Sequence, residues 1–136
     1  MKTMILLVED SRFLRVANER ALLRAGYSAI SAADGEAALL MARERMPSLI
    51  LLDMMLPKLD GIGVLRALKS DPQTADIPVI VLTGLGQQNE AKLINEGAAA
   101  YITKSDSLLD NNSDTLLQVV KSVLGKPKRQ GGRVSP

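Results

Sequence analysis

Five side chains in this sequence are of types that, brought together, could move a phosphoryl group. They are the carboxylates of Glu9, Asp10 and Asp53, the hydroxyl of Thr83 and the ammonium of Lys104. Each follows an apolar run. Met4 to Val8 leads into Glu9-Asp10, Leu49 to Leu52 into Asp53, Val79 to Leu82 into Thr83, and Ala98 to Thr103 into Lys104. Taken singly, each has an ordinary reading: an acid at a strand end is solvated or caps a helix, a Thr before Gly belongs to a turn, and a lone Lys is surface. Taken together they make chemistry. Three converging carboxylates repel one another, and a hard divalent ion such as Mg2+, which prefers carboxylates, waters and phosphate oxygens, relieves that repulsion. Thr83 adds a hydroxyl donor and Lys104 a compact positive charge. Such a set suits a transferring phosphoryl group, with Asp53 as nucleophile and metal ligand and Lys104 neutralising the charge that develops.

The elements that must position these groups follow from the pattern of the chain. Apolar runs without polar alternation suit parallel strands covered on both faces, and Leu49 to Leu52 is of this kind. Met4 to Val8 reads as the first strand, and Ser11 or Asp10 caps a helix that runs to about Ala25 and stops at Gly26, with Leu14, Ala17, Ala21 and Ala25 turned inward. Tyr27 to Ala32 is a second strand of small residues. Asp34 caps a second helix carrying Ala38, Leu39 and Ala42 before Pro47. After the Asp53 strand, Pro57 breaks regular structure and Asp60 starts a third helix to about Ser70, with Ile62, Leu65 and Leu68 inward. Asp71 to Asp76 is turn-rich. Ile77 and Val79 to Leu82 form a fourth strand, Gln87 to Glu96 a fourth helix and Ala98 to Thr103 a fifth strand. Ser113 or Asp114 caps a last helix bearing Leu116, Leu117, Val120, Val123 and Leu124 and closed by Gly125. Five alternations with short connections imply right-handed crossovers: an α/β fold, doubly wound, with a five-stranded parallel sheet and helices on both faces. In such a sheet every strand ends on one edge, and open α/β sheets place their ligand sites there.

Composition narrows the function classes. A chain of 136 residues reads as one domain with room for a real core. It has no cysteine, hence no disulfide and no thiolate metal site, and no histidine, hence no Ser-His triad, no histidine base and no phosphohistidine of its own. With Phe13, Tyr27 and Tyr101 as its only aromatics, it offers no stacking platform for single-stranded nucleic acid. The apolar start is too short for a signal-peptide core or a membrane span, so a cytoplasmic protein without membrane insertion is expected. The net charge of +2 belongs to the end of the chain, where Lys126, Lys128, Arg129 and Arg133 have no acid beside them. Residues 1–125, with 13 basic and 15 acidic groups, are mildly acidic. Residues 126–136 have almost nothing to bury and are expected to form a basic, disordered tail behind a domain spanning 1–125.

On Glu9-Asp10, Asp53 with Pro57 and Asp60-Gly61 behind it, Thr83-Gly84, and Tyr101 three residues before Lys104, the sequence resembles the receiver domains of bacterial two-component response regulators, most like the chemotaxis-type single-domain form. The resemblance covers roughly Met4 to Gly125. It implies a flavodoxin-like sheet of order 2-1-3-4-5, with the site at the switch point between the first and third strands. It further implies that Asp53 accepts a phosphoryl group from the phosphohistidine of a sensor histidine kinase or a histidine phosphotransfer protein. By the same resemblance Glu9, Asp10, Asp53 and the carbonyl of Met55 surround Mg2+. Thr83 and Tyr101 then shift inward and remodel a face made by the fourth helix, fifth strand and fifth helix, which a downstream protein target reads. Residues 126–136 are too few for an effector domain, so output from this sequence is expected through protein partners or onward transfer, not by direct nucleic-acid binding.

Two features depart from the family pattern. Proline usually follows the site lysine in a cis peptide, whereas Ser105 follows Lys104 here. A cis bond to a non-proline costs about 2.5–4 kcal/mol, so the bond is either trans with an altered loop or cis and strained. Met55 and Leu85 are apolar where many relatives carry polar residues; they are expected to border the approach of hydrolytic water to phosphorylated Asp53 and to prolong that state. Two other classes share part of this pattern. A haloacid-dehalogenase-like phosphohydrolase or phosphotransferase needs a second Asp where Met55 stands and a cap domain for which there is no length. A receiver-shaped interaction module that is never phosphorylated would not need the full set of Glu9, Asp10, Asp53, Thr83 and Lys104.

Overall fold

The computed structural model describes residues 3–54, 60–83, 90–103 and 114–125. Among the described residues ten elements alternate: β1 (Met4–Val8), α1 (Arg12–Arg24), β2 (Ser28–Ala32), α2 (Gly35–Arg45), β3 (Leu49–Asp53), α3 (Gly61–Ser70), β4 (Val79–Thr83), α4 (Glu90–Asn95), β5 (Ala100–Thr103) and α5 (Asp114–Gly125). All strand pairs are parallel, and the sheet order is β2-β1-β3-β4-β5. This is the doubly wound, flavodoxin-like arrangement expected from the sequence.

Successive strand residues point to opposite faces, so the apolar runs divide between two cores. Leu6, Val8, Ile50, Leu52, Val79 and Val81 pack with Ala38 and Ala42 of α2, Val64, Leu65 and Leu68 of α3, and Leu93 of α4. Ile5, Leu7, Leu49, Leu51, Ile80 and Leu82 pack with Leu22 of α1 and Leu116, Val120 and Val123 of α5. Every residue of β3 and β4 is buried, which is what a central parallel strand with no polar alternation requires.

Local chemistry sets the helix starts. Ser11 Oγ accepts from Leu14 N at 3.3 Å, Asp34 Oδ1 from Ala37 N at 2.8 Å and Asp60 Oδ1 from Gly63 N at 2.9 Å, each satisfying an amide with no partner inside its helix. Ser11, not Asp10, is thus the cap of α1, which leaves the Asp10 carboxylate for the sheet edge. α1 ends in a Schellman closure, with Tyr27 N on Leu22 O at 3.0 Å, Gly26 N on Leu23 O at 3.0 Å and Gly26 at φ +98°.

The inward face of α1 differs from the expected one. Ala17 and Ala25 are exposed, and the buried residues are Asn18, Ala21 and Leu22. The helix is turned so that a polar Asn lies under it. A search for apolar spacing passes over such a residue. The fourth helix is described from Glu90, and the expected start at Gln87 lies outside the described residues, as do Ser113 and residues 126–136.

Candidate functional site

Parallel register brings the acidic groups together. Val8 of β1 pairs with Leu52 of β3, so Glu9 and Asp53 are the next positions on adjacent strands. Glu9 continues the sheet edge by donating its amide to Ala32 O at 3.1 Å, while Met54 N donates to Leu82 O at 3.0 Å. Glu9 and Asp53 are wholly buried, and Asp10 is exposed. One carboxylate oxygen from each of the three lies within 4.8 Å of the others. Thus the site has a sealed floor and an open rim, two carboxylates held by the fold and one reaching it from the solvent side.

The turn carrying Glu9 and Asp10 is braced from α1. Glu9 Oε2 accepts from Ser11 N at 3.2 Å, and Glu9 O accepts from Arg15 Nη1 at 2.8 Å. The far side depends on a glycine. A Cβ on Gly61 would stand 2.5 Å from Met54 Cα, 2.7 Å from Met54 Sδ and 3.0 Å from Asp53 O, and Gly61 N donates to Met54 O at 3.1 Å. The start of α3 therefore presses directly on the backbone leaving Asp53, an approach only glycine permits.

Thr83 closes β4, is 8% exposed, and pairs with Thr103 of β5, one strand over from Asp53. Tyr101 is half-buried beside the core that α2, α3 and α4 share, paired with Val81. Of the sequence-predicted site residues, Glu9, Asp10 and Asp53 are brought together, and Thr83 stands at the same strand edge. Met55, Leu85 and Lys104, together with Pro57, Gly84 and the Lys104–Ser105 bond, lie outside the described residues. Arg15 was not singled out in the sequence, although a signal was there: α1 carries basic Arg12 and Arg15 near its start and no acid in its first turn, against the preference of a helix N-terminus.

The donor set suits a hard divalent cation. It offers carboxylate oxygens only, with no sulfur or imidazole, and the exposed rim at Asp10 leaves space for waters or phosphate oxygens, as Mg2+ prefers. A five-stranded parallel sheet with acids clustered at the carboxyl ends of β1 and β3 is the arrangement expected of a receiver domain. Residues 5–119 match the family of the response regulator receiver domain, and the chain belongs to it.

The proteins it resembles differ in length. The DNA-binding dual master transcriptional regulator RpaA of a Synechocystis species is 42% identical over 101 residues, 74% of this chain but 42% of that protein. The chain thus spans about two fifths of the length of this curated relative. Among solved structures, the receiver domain of the sensor histidine kinase PA1611 from Pseudomonas aeruginosa PAO1 is 27% identical with a TM-score of 0.81. The match covers 93% of this chain and 100% of that one, and a magnesium ion is coordinated in that protein's active-site cleft. The chemotaxis protein CheY4 of Vibrio cholerae is 27% identical with a TM-score of 0.80, covering 90% of this chain and 99% of that one. Among the described residues no helix is long and apolar enough to cross a membrane.

Proposed function

We propose that the chain is a phosphorylation-dependent signalling switch in which Asp53 accepts a phosphoryl group from a phosphohistidine on a sensor kinase or phosphotransfer protein. The observation that carries this reading is the convergence of Glu9, Asp10 and Asp53 within 4.8 Å, two of them fully buried. A buried Asp at the end of a central strand is a costly place for a charge unless a cation is to join it. Glu9, Asp10, Asp53 and the carbonyl of Met55 would hold Mg2+, which when bound offsets their mutual repulsion and the charge of an incoming phosphoryl group. A carboxylate oxygen of Asp53 forms the new P–O bond as the P–N bond of the donor breaks, and the imidazole leaves with the electron pair and takes a proton from solvent. Thr83 would donate its hydroxyl to a phosphoryl oxygen, and the role proposed for Lys104 is to neutralise the developing charge with its ammonium.

In this reading Thr83 and Tyr101 carry the switch, drawing inward and altering the face of α4, β5 and α5 that a downstream protein reads. The chain catalyses only its own phosphorylation and dephosphorylation, and residues 126–136 form a basic tail outside the working domain of 1–125. The test is Mg2+-dependent labelling by a small phosphodonor such as acetyl phosphate. Wild type is expected to carry an acid-labile acyl phosphate, and Asp53→Asn none while keeping its fold. Full labelling of Asp53→Asn, or labelling of wild type that ignores a chelator, defeats the assignment.

A further inference from the structure

We infer that Arg15 is a positioning residue for the cation site, acting through the backbone of Glu9; the inference rests on the Mg2+ assignment proposed above. Only three residues, Glu9, Asp10 and Ser11, link the end of β1 to the start of α1, and they carry two of the three clustered carboxylates. A turn that short aims both acids at once, so whatever fixes one peptide fixes the site. Glu9 is held at three atoms: its N donates to Ala32 O at 3.1 Å, its Oε2 accepts from Ser11 N at 3.2 Å, and its O accepts from Arg15 Nη1 at 2.8 Å. The first two bonds come from backbone next to Glu9 in the sheet or chain. The third is the only one of these in which another residue's side chain holds Glu9, and it reaches across six residues.

Helical side chains lean toward the N-terminus of their helix, which lets Arg15 fold back over the first turn to the strand end. It also accounts for an arginine where a helix start disfavours cations: the guanidinium is used against a carbonyl whose direction matters, and the acids beside it compensate the charge. Arg15 touches the carbonyl of Glu9, not its carboxylate, so it orients a metal ligand without competing for the oxygens that would bind.

Two effects of Arg15 on a bound cation have opposite signs, and this decides the test. As a nearby positive charge it repels Mg2+, so removing it would tighten binding. As a brace it keeps Glu9 and Asp10 aimed, so removing it would weaken binding; loss of partners that orient metal ligands typically costs about 10–100-fold in affinity. Mg2+ affinity of wild type, Arg15→Lys and Arg15→Gln is measured by calorimetric titration, with melting of each protein in chelator as the control for folding. Positioning predicts wild type tightest, Arg15→Lys intermediate because it keeps the charge but loses the guanidinium geometry, and Arg15→Gln about tenfold weaker than wild type. A Gln variant that binds as tightly as wild type, or tighter, overturns the inference while leaving the Mg2+ assignment intact. Should Arg15→Gln melt out, Arg15→Lys decides alone, since equal affinity to wild type overturns the inference. A wild type that takes up no Mg2+ overturns the assignment itself and this inference with it.

Discussion

At the scale of single residues, the site is defined as much by what is missing at Gly61 as by the carboxylates. A methyl group there would stand 2.5 Å from Met54 Cα, and backbone cannot swing aside as a side-chain tip can. Gly61→Ala must therefore lift the start of α3 from the end of β3. Such overpacking costs about 1–3 kcal/mol, which urea unfolding would read as a lower midpoint at unchanged slope. A variant within about 0.5 kcal/mol of wild type would show that α3 yields freely. The same shift disturbs the peptides beside Asp53, so phosphorylation of Gly61→Ala is expected to slow as well. The need for glycine was only half legible in the sequence. Asp60-Gly61 announced a helix start, but the approach that forbids a Cβ arises from how β3 and α3 meet. Asp53 was legible because an apolar run ending in an acid is a local signal. Arg15 was not, since its bond to Glu9 exists only once β1 and α1 are folded against each other.

At the scale of elements, strands were easier to read than helix faces. Buried parallel strands state their environment in every residue, as Leu49–Asp53 and Val79–Thr83 do. A helix such as α1 offers overlapping stripes, and the one containing Asn18 was used instead of the purely small and apolar one. The link between α3 and the residue just after α4 could not be read from sequence at all, because Arg66 and Glu96 lie thirty positions apart. Arg66 Nε and Nη2 reach Glu96 Oε1 and Oε2 at 3.0 and 2.8 Å, a two-pronged pair. The hydrogen bond from Arg66 is the main cause holding the Glu96 carboxyl below its ordinary value of 4.5. A carboxylate depressed by folding adds stability at pH above its unfolded value and loses it as pH falls through the folded one. Arg66→Ala is thus expected to lower the urea midpoint at neutral pH, and the difference is expected to close as pH falls through the lowered folded value of Glu96. The neutral-pH difference should be small and shrink with salt, because the Arg66 side chain is more than half exposed and Glu96 is only partly buried. A difference that persists unchanged at acid pH would assign the effect to packing of the Arg66 stem instead.

At the scale of the whole molecule, two apolar layers hold a sheet whose carboxyl edge gathers like charges. The charged tail is expected to contribute little to this balance: a chain ending at Gly125 should keep its stability within about 0.5 kcal/mol and its phosphorylation rate, and loss of either would mean that residues 126–136 dock on the body. The acidic cluster weighs more. Glu9 and Asp53 are fully buried and Asp10 stands at the rim, with oxygens within 4.8 Å, so like charges lie close together in the metal-free fold. Asp53→Asn removes one charge without opening a void. In chelator it should melt above wild type, by about 4 °C if roughly 1 kcal/mol is relieved in a domain of this size. Mg2+ should reverse the order. A ligand that binds only the folded state adds about 2.7 kcal/mol at a hundred times its dissociation constant, and the variant, with one carboxylate fewer, reaches that gain only at higher concentration. Scanning calorimetry of both proteins in chelator and across a Mg2+ series gives the two curves. If Asp53→Asn melts below wild type without metal and gains as much with it, then Asp53 is a structural acid and not a ligand of the cation.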